Sequence, residues 1–398
     1  RLGWLSSLLR QLSPASGAET SLAQANHLRF LATLLAELSW KSAPLAAELL
    51  HSETLRSYVT HPYKQVREEA GALFALVLHT VSPCVSPPSP SASASVALLQ
   101  EVESFVAHLQ AECHAVSSLS GGVLALEPTA EAERLTARAA REAALYALRH
   151  CLKLGRPQTA SRLLPALLPA VLCAAASPQP PDLSNFGKSV AVMLAQAPME
   201  PQLFVALVQG IGAAANSPSW HLRGCLLPML KLLLYRGQFL EPAKENRDML
   251  GALLLQLLGD AQQEVREATM PLLSGFVRLH GDEARVGVLE WAAQRASAAQ
   301  QQVARGGGAA LAELHAGVLA LEALVTLATY DVPLWLPAVL ERLASFANAP
   351  QPVKASVIRT FADFRRTHQD NWPEHRQRLT LAQQELLADM VVAPSFYA

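Results

Sequence analysis

Two short stretches carry side chains that could do chemistry. In FRRTHQDNWPEHR (364–376), His368, Asp370 and His375 offer two imidazoles and a carboxylate, a donor set that suits a transition metal. The same groups serve as hydrogen-bonding side chains at a corner between helices, and that reading is preferred. The second stretch is the end, PSFYA (394–398). Pro394 stops a helix because it lacks the N–H. Phe396, Tyr397 and Ala398 then place two rings beside a terminal carboxylate. Such an end can act as a peptide plug, its anion captured by a lysine or backbone N–H groups and its rings filling an apolar groove. Most chain ends fray, so on the tripeptide alone fraying is the better reading.

No other catalytic pattern emerges. There is no GxSxG, HExxH, Walker or GxGxxG motif. Gly306–Gly308 lacks the following Lys-Ser/Thr and the preceding strand of a phosphate loop, so no phosphate role is expected there. Cys84, Cys113, Cys151, Cys173 and Cys225 are far apart and form no CxxC pair, which suits buried free thiols in a reducing compartment. No cofactor is evident, and the chain is read as a non-enzyme.

These residues must be carried by helices. Of 398 residues, 51% are hydrophobic, 6% aromatic and 16% charged. Leu and Ala dominate, and both are strong helix formers. The apolar run LLPALLPAVLCAAA (163–176) is too short to cross a bilayer and reads as a core helix. The net charge of −1 supplies no field for nucleic acid or an anionic membrane, so neither is expected as a direct partner. The chain begins with Arg1 rather than Met and is read as a piece of a longer protein, with no secretory signal visible.

One grammar recurs: a proline or polar turn, an apolar–basic pair, then a Leu/Ala-rich helix. Its copies are HPYKQVREEAGALFALVLH with Val66-Arg67, SPSWHLRGCLLPMLKLLLY with Leu222-Arg223, GDAQQEVREATMPLLSGFVRLH with Val265-Arg266, and APQPVKASVIRTFADFRRTH with Val353-Lys354. Val265 follows Leu222 by 43 positions and Val353 follows Val265 by 88, two steps of 44. A missing copy should fall near 309, where LAELHAGVLALEALVTLA (311–328) supplies a helix. HEAT and armadillo repeats have this period and are paired helices that bury their apolar faces by stacking. The expected fold is an all-α solenoid of such repeats. Its parts are 1–200 (repeats with a Pro/Ser-rich loop near 80–95), 201–310 (further repeats) and 311–398 (a C-terminal module). Further loops are expected at 176–186 and 301–310. The turn Arg/Lys residues are read as scaffold, and Trp335 and Trp372 as core anchors at corners.

Between 350 and 380, Lys354, Arg359, Arg365, Arg366, Arg376 and Arg378 outnumber Asp363, Asp370 and Glu374. A solvated face is the default, and a docking face for an acidic partner is the alternative. The last helix should open on a capping box, Thr380-Leu-Ala-Gln383, and bury Leu386, Leu387 and Met390. From Pro394 onward the chain can reach about 16–18 Å.

The end of the chain resembles the large HEAT-repeat proteasome activators, the proteasome activator complex subunit 4 family. The resemblance is carried by HAGVLAL (315–321), YDVPLWLP (330–337), ANAPQPVKASV (347–357), FRRTHQDNW (364–372) and the terminal FYA, with VREATMPLLSGF (265–276) upstream. It implies an ATP-independent activator that caps the 20S proteasome core particle. Phe396, Tyr397 and Ala398 would enter a pocket between α-subunits of the ring. The Ala398 carboxylate would meet a lysine, Tyr397 would shift the gating turn and Phe396 would fill the apolar mouth. The resemblance also implies inositol phosphates as ligands, without assigning positions here, and acetylated histones as partners in the nucleus, with DNA repair and ubiquitin-independent degradation as settings in nucleus and cytoplasm. The acetyl-lysine pocket of animal members would fall just after VREATMPLLSGFVRL. There the chain has His280-Gly281 in place of the expected Asn-Phe pair, a departure from the pattern that role needs. The competing reading is a HEAT-repeat transport receptor or interaction scaffold, which binds along its concave face and is indifferent to its last three residues.

Overall fold

The computed structural model describes residues 20–38, 46, 48–50, 53–81, 92–113, 115–118, 122–125, 131–154, 157–177, 180–198, 200–238, 244–303 and 308–390. Helices dominate them. In chain order they are α1 (Ser21–Leu38), α2 (Glu53–Tyr58), α3 (Lys64–Val81), α4 (Ala92–Glu112), α5 (Glu131–Lys153), α6 (Pro157–Ala176), α7 (Pro181–Gln196), α8 (Pro201–Ala214), α9 (Trp220–Gly237), α10 (Lys244–Leu258), α11 (Gln263–Val303), α12 (Gly308–Val325), α13 (Leu336–Ala344), α14 (Val353–His368), α15 (Trp372–Arg376) and α16 (Leu381–Met390). The contacts divide the chain into two units, Arg1–Leu240 and Glu241–Ala398.

In the first unit α1 packs on α3, α3 on α5, α5 on α6, and α6 on α7 and α8. The sequence explains the closeness of these layers. α5 turns Ala137, Ala140, Ala144 and Ala147 inward, and short side chains let neighbouring backbones approach. The run read as a core helix is one: Leu167 to Ala175 of α6 are buried.

The second unit is a set of helix pairs. α11 is two helices joined at Gly281, where φ is 70° and ψ −148°. Only glycine adopts that conformation without steric cost, so His280-Gly281 makes the turn between the arms. The second arm packs against α12, where a Cβ on Gly317 would lie 2.9 Å from Ala296 Cβ. α12 carries α13 and α14, and α13 carries α16. The helix expected near 309 is α12, with Leu314, Val318, Leu321 and Leu324 buried.

Several expectations change. A small antiparallel hairpin, β1 (Ala115–Ser118) with β2 (Gly122–Ala125), interrupts the helices. α4 begins at Ala92 inside the stretch read as a loop, and residues 82–91 lie outside the described residues. The loop expected over 176–186 is largely helix. α6 runs to Ala176 and α7 starts at Pro181, because proline suits the first helical position, whose N–H has no intrahelical partner. Pro165, Pro169, Pro228 and Pro271 lie inside helices, so proline is not a reliable break in this chain. In 301–310, α11 continues to Val303 and α12 begins at Gly308. Residues 304–307, with Gly306 and Gly307, lie outside the described residues.

The turn arginines share one geometry. Arg67, Arg223 and Arg266 are each the fourth residue of a helix, in α3, α9 and α11. Each reaches back from Nη1 to the carbonyl six positions earlier, at 2.6 Å: His61, Ser217 and Asp260. Arg67 and Arg266 also reach the carbonyl five positions earlier, Pro62 and Ala261, at 2.9 Å. Those carbonyls follow the end of the preceding helix and have no helical partner. The guanidinium fork supplies the missing donors. Lys354 breaks the rule. It is the second residue of α14 and is exposed, and the fourth residue of that helix is Ser356.

Candidate docking site

Phe396, Tyr397 and Ala398 lie in 391–398, outside the described residues. What the structure describes is their base: α14, α15 and α16. The capping box exists in both directions. Gln383 N donates to Thr380 Oγ1 at 3.3 Å, and Thr380 N donates to Gln383 Oε1 at 3.1 Å. Leu387 is buried and Leu386 half-buried, so α16 is anchored on the side expected; the Met390 side chain lies outside the described residues.

The His368 cluster is a corner. Its Nδ1 lies 2.8 Å from Phe364 O and 2.9 Å from Thr367 Oγ1, and its Nε2 lies 3.0 Å from Asp331 O. Both ring nitrogens are engaged by the protein. The ring of His375 meets His368 edge-on at 5.3 Å, and Phe364 stacks on the other side at 4.1 Å. Asp370 is exposed and does not join them. Among the described residues no group of three His, Cys, Asp or Glu is placed to hold a metal ion. Of the five cysteines, Cys113, Cys151 and Cys173 are buried free thiols, and burial pushes Cys113 and Cys151 up to about 12. Cys225 is free and half-buried; Cys84 lies outside the described residues.

Two of the basic residues of 350–380, Arg359 and Arg378, meet acids from outside that stretch, and others find partners within or beside it. Arg359 donates to both oxygens of Glu322 on α12. Arg378 binds Asp331 Oδ1 at 2.8 Å, Arg366 pairs with Asp363 at 3.2 Å, and Arg376 Nε donates to Gln384 at 2.7 Å. Trp335 is half-buried beneath Arg285, 5.0 Å from the ring centre. Trp372 is half-buried and lines a cleft of about 580 Å³ between α14, α15 and α16. Phe364, Leu381 and Leu387 supply its other apolar surface, with Arg365 and Arg376 beside them. The neighbouring turn exposes Tyr330 (70%) and Leu334 (95%), and Tyr330 holds φ 69°, an uncommon conformation for a bulky side chain.

Sequence reasoning missed a buried polar chain through three helices. Arg266 on α11 donates from Nε to Nδ1 of His315 on α12 at 3.2 Å, and His315 Nε2 lies 3.0 Å from Ser356 Oγ on α14. Glu322 and Arg359 join the same two helices nearby. A signal was present: His315 and Glu322 are the polar residues inside the apolar HAGVLALEALV.

Known proteins share recognisable sequence with this chain. Residues 311–398 match the family described as proteasome activator complex subunit 4-like, C-terminal. The whole chain is 29% identical over 419 residues to proteasome activator complex subunit 4A of Danio rerio, and 29% over 424 residues to proteasome activator complex subunit 4 of Homo sapiens. The chain is thus similar to proteasome activator complex subunit 4 over its whole length. It spans 22% of the length of each of those two relatives. Proteasome activator subunit 4 of Arabidopsis thaliana is 30% identical over 220 residues, which is 54% of this chain and 12% of the relative. Among solved structures, a Kap121p mutant matches with TM-score 0.42 at 14% identity, covering 97% of this chain and 44% of that one. An engineered protein matches with TM-score 0.31 at 13% identity, covering 98% and 95%.

Proposed function

We propose that this chain forms the C-terminal part of an ATP-independent activator that caps the 20S proteasome and opens its gate with Phe396, Tyr397 and Ala398. The observation that carries the reading is the match of 311–398 to the activator family, a stretch ending in an aromatic pair and a small residue. The chemistry of that end supports it. A terminal carboxylate on Ala398 pairs with a lysine of the α-ring, Phe396 fills an apolar mouth, and the Tyr397 hydroxyl hydrogen-bonds a turn of the gate. Opening requires the tail to bind the open ring better than the closed one, since equal affinity shifts nothing. The helical stack contributes position: α16 is pinned at its start by the capping box and along one side by Leu387. The activator acts by binding, without catalysis of its own.

The deciding experiment removes Phe396–Ala398 from the full-length protein and measures peptide hydrolysis by purified core particle. Stimulation should be lost and binding weakened. Unchanged stimulation and binding would overturn the tail mechanism and favour a scaffold that works along its concave face.

A further inference from the structure

The cleft between α14, α15 and α16 has a shape and a charge that ask for an occupant. Phe364, Trp372, Leu381 and Leu387 make its apolar surface. Arg365 and Arg376 stand against Glu385 on its rim, leaving one net positive charge. We propose that this cleft is a binding site for the chain's own last eight residues, VVAPSFYA (391–398), so that the aromatic end has a seat in cis before it meets a partner.

Three arguments select that occupant. The first is reach. The cleft is lined by α16 from Leu381 to Ala388, and a ten-residue helix is about 15 Å long. Eight extended residues span about 26 Å, enough to reverse just after Met390 and run back along α16. The second is chemistry. The segment offers Val391, Val392, Phe396 and Tyr397 to an apolar surface, and one carboxylate to a rim with one net positive charge. The third is concentration. A short tether holds its end at roughly millimolar effective concentration, so a weak, open site is filled in cis. A free partner at micromolar concentration would need far tighter binding than such a cleft provides.

The test uses the full-length protein without any proteasome, so it fails or succeeds separately from the proposed function. The photocrosslinker p-benzoylphenylalanine is incorporated at position 396, and its products are mapped by mass spectrometry. Crosslinks should be intramolecular, independent of protein concentration, and land within 364–388. Their yield should fall several-fold in Trp372→Ala and in the double variant Arg365→Glu/Arg376→Glu, whose surface positions leave the core intact. Millimolar free VVAPSFYA should compete. Crosslinks elsewhere, between molecules, or at 364–388 but insensitive to the double variant and to the peptide would overturn the site.

Discussion

Arg266 donates from its Nε to Nδ1 of His315 at 3.2 Å, and this fixes the state of the imidazole. A nitrogen that accepts from a guanidinium carries no proton, so the proton sits on Nε2 and is donated to Ser356 Oγ, 3.0 Å away. His315 is fully buried. Burial, and then the Arg266 charge, hold it down to about 4, against a smaller pull upward from Glu267 and a further push down from Arg359. Three helices, α11, α12 and α14, are thereby joined by one neutral ring in one tautomer, whose two nitrogens have different partners and cannot exchange them.

That ring makes the fold acid-sensitive. In the unfolded chain His315 gains its proton near the ordinary value of about 6.5, whereas the folded state resists it until about 4. The stabilisation is therefore present above about 6.5 and is lost as pH falls towards the folded value. Between pH 7 and 4.5 the loss assignable to His315 is about 2–3 kcal/mol. His315→Gln keeps an acceptor and a donor but does not titrate. Urea unfolding at the two pH values should show a smaller acid loss in the variant. Equal losses would remove His315 from the account.

Arg266→Lys tests the fork. The arginine closes the α10–α11 turn through Asp260 O and Ala261 O while its Nε holds His315. A single ammonium cannot span these acceptors, and buried carbonyls left without donors are costly. The expected loss is about 2–4 kcal/mol in unfolding free energy, although the charge is retained. A loss below 1 kcal/mol would mean that water satisfies the turn as well as the guanidinium does.

Glu322 and Arg359 give the opposite pH sign. The Glu322 side chain is 4% exposed. Burial pushes its carboxyl above the usual range, while Arg359 pulls it back. A raised folded value means stability is retained below the unfolded value and lost as pH rises through the folded one. Arg359→Met removes the counterweight, so the variant should lose more at pH 7 than at pH 4. The loss at pH 7 should be about 1–3 kcal/mol, since the half-exposed arginine is partly screened. Glu322→Gln should cost less than Arg359→Met at pH 7. The reverse order in chemical denaturation would refute this account.

The helical repeats were legible because their signal is periodic and local. A basic residue placed just after a turn recurs at 43 and 88 positions, and the structure turns three of the four copies into the same bond. Lys354 failed because the α14 frame is shifted: Ser356, not Lys354, is fourth in the helix, and it faces His315. Pairs such as Glu322–Arg359 and Asp331–Arg378 join residues 37 and 47 positions apart. A window over 350–380 therefore reported a positive face where the fold has supplied acids from its neighbours. The prolines misled for a physical reason, since Pro181 begins a helix as readily as it ends one. The hairpin over 115–125 left no recognised mark, its strands being four residues each.

The capping box links stability to the proposed docking. Thr380→Ala removes the acceptor for Gln383 N, at a cost of about 1 kcal/mol to the start of α16. α16 has ten residues, too short to persist without packing, and Leu387 carries much of that packing. Fraying converts helix into tether: each released residue adds about 3.3 Å of reach in place of 1.5 Å of rise. A longer, looser tether lowers the effective concentration of the end at any socket. In the full-length protein, Thr380→Ala should therefore reduce proteasome stimulation several-fold at limiting activator and much less at saturation. Loss of Phe396–Ala398 should abolish stimulation at every concentration. Thr380→Ser retains the hydroxyl and should restore the wild-type curve. If Thr380→Ala left that curve unmoved while hydrogen exchange showed α16 loosened, the position of α16 would have no part in presenting the end.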